Sequence, residues 1–127
     1  MRRFGLWATV IFSAIVVLGV WVQVYLIAAH FFGAADAKDA HAFVGFTLVH
    51  GAELLAFLGA LVGWWKRWAL VGLAFALPVL GSIQIALAEG EEWVGALHGL
   101  LALVVMVLGA YLAWLAWREL RPRAITS

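Results

Sequence analysis

Four uninterrupted apolar runs, about residues 4–32, 41–65, 68–88 and 93–117, restrict this chain more than any other feature. Only Gly33 to Ala40, Lys66-Arg67 and Glu89 to Glu92 break them. A hydrocarbon core about 30 Å thick takes about 20 apolar residues per helical crossing, so each run is long enough to cross once. Strands of a membrane barrel are shorter and alternate apolar with polar residues, whereas these runs are apolar on every side. Composition agrees, since 67% of the 127 residues are hydrophobic and 12% charged, against about 25% charged in soluble domains. A soluble globule is excluded. The expected fold is all-α, an integral membrane four-helix bundle in which residues 1–127 form a single membrane domain.

The net charge of +1, without any basic tract interleaved with aromatics, argues against a nucleic-acid partner. Cysteine is absent, which excludes disulfides, thiolate-held clusters, thioether-attached haem and a cysteine nucleophile. Arg2-Arg3 ahead of an apolar run has the outline of a signal peptide, but the run is about twice the usual 7–15 residues. It therefore reads as a retained helix, despite the small-residue sequence Ala35-Asp36-Ala37. Arg2, Arg3, Lys66, Arg67, Arg118, Arg121 and Arg123 fall together on one side of a four-crossing arrangement. Asp36, Lys38, Asp39, Glu89, Glu91 and Glu92 fall on the other. Because Lys and Arg favour the cytoplasm, both termini are expected there, in a multi-pass protein of the bacterial inner membrane. Trp64, Trp65, Trp68, Trp93, Trp114 and Trp117 lie near run ends, where indoles anchor at headgroup level.

Val22-Gln23-Val24-Tyr25-Leu26 in the first run resembles Ile83-Gln84-Ile85-Ala86-Leu87 in the third. Each precedes an acidic break and then a His near the start of the next run, His41 and His98. The chain therefore reads as two tandem helical hairpins in a parallel repeat, with His41 and His98 at similar depth on facing helices. This layout resembles a family of small bacterial four-helix integral membrane proteins of unknown function. The resemblance rests on Val22-Gln23-Val24, Ala40-His41 with Gly45, Ile83-Gln84-Ile85 and Ala96-Leu97-His98, and spans about residues 20–118. It implies a four-helix bundle and gives no activity. The sequence departs from the family pattern after His98, where Gly99-Leu100-Leu101 replaces a more polar stretch.

At about 100° per residue, His41, Gly45, Leu48, Ala52 and Gly59 share one stripe of the second helix. His98, Ala102, Val105 and Gly109 form the matching stripe of the fourth. Small residues along a stripe admit a close helix or a flat cofactor. The leading expectation is a b-type haem with His41 and His98 as axial ligands, Gly45 and Ala102 below them, and Gln23 and Gln84 beside it. Electrons would then pass to a partner or a quinone at the outer side. A zinc or copper site on His30, His41, His98 and Glu92 is the metal alternative. The bland alternative is that these are interfacial histidines over ordinary small-residue packing, with both Gln bonding between helices.

His50 lies nine residues after His41, so an ideal helix points it about 180° away. Glu53 is three residues further, on nearly the face of His50, and both fall mid-crossing. A charge at that depth costs about 3 kcal/mol. Glu53 is thus expected to be protonated, paired with His50, or turned toward a second protein surface in a homo-oligomer or larger complex. His50 and Glu53 suit a proton relay in a transporter of protons or small cations. A structural or assembly subunit without chemistry is the third reading. Pro78, with Gly81 and Ser82 beyond it, should kink the third helix and open the bundle below Gln84.

Overall fold

The structure, a computed structural model, describes residues 1–90 and 92–121, without the side chain of Glu92. Glu91, the Glu92 side chain and Arg123, which enter the charge reading above, lie outside the described residues. Four helices form: α1 Arg2–Phe31, α2 Ala37–Gly63, α3 Trp68–Ala88 and α4 Glu92–Leu120. All four are long and apolar enough to cross a membrane. Their ends fall within a few residues of the apolar runs because the polar breaks leave the turns nowhere else to form. Gly33, at φ 96°, turns the chain after α1, and Lys66, at φ 69°, turns it between α2 and α3.

The helices pack in a ring, with α1 on α2 and α4, and α3 on α2 and α4. The second and fourth helices therefore lie across a diagonal. Close approach of α1 and α2 depends on three glycines. A β-carbon on Gly59 would meet the Thr9 amide nitrogen at 2.8 Å, one on Gly63 would meet that of Leu6 at 2.8 Å, and one on Gly5 would strike Gly63. Backbone-to-backbone contact of this kind is how helices associate when lipid provides no hydrophobic drive between them.

The core runs the length of the bundle through Leu6, Val16, Val20, Val49, Ala52, Ala56, Ala60, Trp64, Ala74, Leu77, Val105 and Leu112. Trp64 is fully buried and is not a headgroup anchor, whereas Trp65, Trp68, Trp93, Trp114 and Trp117 are exposed as expected. Trp64 Nε1 donates to Glu119 Oε1 at 3.1 Å. Arg2 and Arg67 also donate to the Glu119 carboxylate. One carboxylate thus joins the start of α1, the end of α2, the start of α3 and the end of α4. The start of α1 and the end of α4 therefore lie at the same end of the bundle, called here the terminal end.

Candidate functional site

The second helix is not a uniform α-helix. Val44–Val49 is a π-helical turn, closed by the His50 amide donating to the Gly45 carbonyl five residues back. A π turn holds one residue more than an α turn, which sets the register back by about 100°. Leu48, expected on the inward stripe, is instead 53% exposed, and its neighbour Val49 is buried. His50 and Glu53 turn inward with it, to about 80° from His41 in place of about 180°.

Glu53 is fully buried, with 1% of its surface exposed. Its Oε2 lies 2.8 Å from Nδ1 of His50, and one proton between the two atoms makes this a hydrogen bond. The carboxylate fills the space that a side chain on Gly81 of α3 would need. The expected opening beyond Pro78 is therefore occupied by Glu53. Nearby, Ser82 Oγ donates to the Pro78 carbonyl at 2.8 Å. The expectation that the His50/Glu53 face points away from the bundle toward a second protein surface is corrected: the π turn rotates it inside, where α3 receives it.

The structure also brings His41 and His98 together, with ring centroids 6.1 Å apart and planes at 61°. Each ring is held by the backbone of the glutamine on the preceding helix. A carbonyl only accepts, so His41 donates Nδ1–H to the Gln23 carbonyl at 3.1 Å, and His98 donates Nδ1–H to that of Gln84 at 2.8 Å. In return the Gln23 carboxamide donates to the His41 carbonyl at 2.9 Å, at the threshold of the π turn.

The cofactor expectation is overturned. Among the described residues no group of three or more His, Cys, Asp or Glu side chains comes together to hold a metal ion, which removes the zinc or copper site. Glu92, one of its ligands, has its side chain outside the described residues. The haem slot fails on packing. Gln23 already fills the space over Gly45, and Gly109 is used by α1, where its β-carbon would lie 3.4 Å from the Ser13 carbonyl and 3.5 Å from Val16 and Val17. Ala102 packs against the core. The small-residue stripes are therefore seats for α1, and α2 and α4 do not face each other across a groove. His30 stands apart, its ring 6.0 Å from that of Phe31.

Three features escaped sequence reasoning. Gly81 reads, beside Pro78 and Ser82, as part of an opening in the bundle, and nothing in the sequence shows that a carboxylate fills it. Ser13 is fully buried, and its Oγ has no partner among the described residues. Glu119 lies just past the last apolar run, where a single acid among arginines gives no signal of its shared role. No family model, curated protein or solved structure matches the chain. What stands of the family resemblance is the coarser statement it implied, a compact bundle of four apolar helices.

Proposed function

We propose that this protein is a multi-pass membrane transporter of protons or small cations, in which His50 and Glu53 form the relay. The observation that carries the reading is a carboxylate buried in the middle of an apolar bundle, bonded at 2.8 Å to an imidazole. Ionisable groups at that depth cost several kcal/mol, about 3 on insertion scales, and mark ion or proton pathways. A carboxyl–imidazole pair exchanges one proton without leaving a net charge in hydrocarbon. Glu53 is fully buried, whereas the His50 side chain is 19% exposed, so His50 is the member of the pair nearer the surface of the bundle. The basic terminal end is the cytoplasmic one in this reading, and the Gln23/His41 and Gln84/His98 units are equivalent parts of two tandem hairpins.

The test is flux in proteoliposomes under an imposed pH gradient, read by an entrapped pH dye. The native chain should dissipate the gradient faster than empty vesicles. Glu53→Gln, which keeps shape and removes the exchangeable acid, should return the rate to that of empty vesicles, and His50→Ala should slow it. Native flux equal to that of empty vesicles, under both proton and alkali-cation gradients, would sink the reading.

A further inference from the structure

One face of α4 is exposed along most of its length. Leu100, Val104, Val107, Tyr111, Trp114 and Arg118 are spaced 4-3-4-3-4, which holds them on a single stripe, and all six are exposed. Leu100, Leu103, Val104, Val107, Leu108 and Tyr111 line a shallow, open apolar groove along it. From Leu100 to Tyr111 an α-helix rises about 16 Å, and this stretch sits centrally in the apolar run 93–117, so a lipid chain entering from the terminal end meets its Tyr111 half first.

The groove ends on aromatic and basic groups. Tyr111 and Trp114 stack with ring centroids 5.7 Å apart at 24°. The Arg118 guanidinium lies over the Trp114 ring at 4.4 Å, and that of Arg121 over Trp117 at 3.5 Å. A guanidinium seated over an indole keeps N–H donors free for a pair of oxygens. Glu119, the carboxylate in the ion pairs at this end, takes Arg2 and Arg67. Arg118 and Arg121 have no carboxylate partner among the described residues. The stripe therefore offers a track for one acyl chain, then a stacked aromatic pair, then two cations toward the terminal end.

We propose that this stripe binds an anionic phospholipid, with one acyl chain along the Leu100–Tyr111 groove and the phosphate on Arg118, supported by Arg121. The net negative headgroup is what selects it, because a zwitterionic lipid fits the groove equally well but brings its own ammonium to the two arginines. The proposal does not depend on what the bundle transports.

Native mass spectrometry of the full chain in detergent, with phosphatidylglycerol and phosphatidylcholine of identical acyl chains, tests it. The native chain should retain phosphatidylglycerol in preference. Each basic residue near a charged headgroup is worth roughly fivefold in affinity. Arg118→Gln/Arg121→Gln should therefore weaken phosphatidylglycerol about 25-fold and leave phosphatidylcholine unchanged. Val107→Trp, which fills the groove, should weaken both lipids. Arg3→Gln, exposed at the same end and off the stripe, should change neither. Equal retention of the two lipids by the native chain, phosphatidylglycerol binding that survives the double substitution, or an equal loss in Arg3→Gln would overturn the proposal.

Discussion

The Glu53 carboxylate occupies the volume that a side chain at Gly81 would take, so the acid on α2 and the missing β-carbon on α3 form one structural unit. Gly81→Ala should push the carboxylate off His50. Overpacking a filled interior costs about 1–3 kcal/mol, and this should appear as a lowered midpoint of thermal unfolding in detergent. Glu53→Asp withdraws the carboxylate by one methylene, so Gly81→Ala/Glu53→Asp should regain part of that loss. Equal midpoints for Gly81→Ala and the native chain would show that the cradle is not needed.

The π turn makes an unusual claim about deletions. Removing Thr47, exposed within Val44–Val49, takes out the extra residue and leaves ordinary α-helix on both sides in their present orientation. The fold and the burial of Glu53 should survive. Removing the exposed Leu58 instead turns Gly59, Ala60 and Gly63 about 100° off α1 and should abolish folding. Expression and monodispersity on a sizing column read both outcomes. Equal tolerance of the two deletions would count against the register argument.

Gln23 and Gly45 are coupled by contact. Gly45→Ala alone should destabilise by about 1–3 kcal/mol, because its methyl meets the Gln23 carboxamide. In a Gln23→Ala background most of that cost should vanish, giving a double-mutant coupling of about 0.5–3 kcal/mol. Strictly additive effects would mean the two side chains do not share space.

Orientation is open to a chemical probe. Cysteines placed singly at the exposed positions Ala35 and Glu89 should react with an impermeant thiol reagent on intact cells, while Lys66→Cys should need permeabilisation. The reverse pattern would invert the protein in the membrane and with it the direction of any relay.

Sequence and structure agree where the helix is regular and part where it is not. The fourth helix buries Val105 and Gly109 and then Leu112 and Ala116, continuing the stripe that begins at His98, because nothing perturbs its period. The stripe of the second helix departs from expectation at Leu48, whose place Val49 takes, while Ala52 and Gly59 are buried as expected. Leu48 and Val49 are both aliphatic, so hydropathy carries no trace of the extra residue. The meeting of His41 and His98 was legible from their matched positions. The use made of the space beneath them was not, since a Gln beside a Gly reads the same whether it lines a cavity or fills it. Glu53 stood out as an acid in an apolar run, but its inward direction depended on the same unseen turn.

The Glu119 carboxylate has a mechanical consequence for the bundle. Its partners are Arg2 on α1, Trp64 at the end of α2 and Arg67 ahead of α3, so each of the other three helices is fastened to the end of α4 by a separate bond. No such shared fastening joins all four helices at the opposite end, among the described residues, where the ties run in pairs from Gln23 to His41 and from Gln84 to His98. Fastened in this way, the bundle would splay as forceps do, with the pivot at Glu119 and the tips at the loops. Any widening that lets water reach His50 and Glu53 is therefore easiest from the tips.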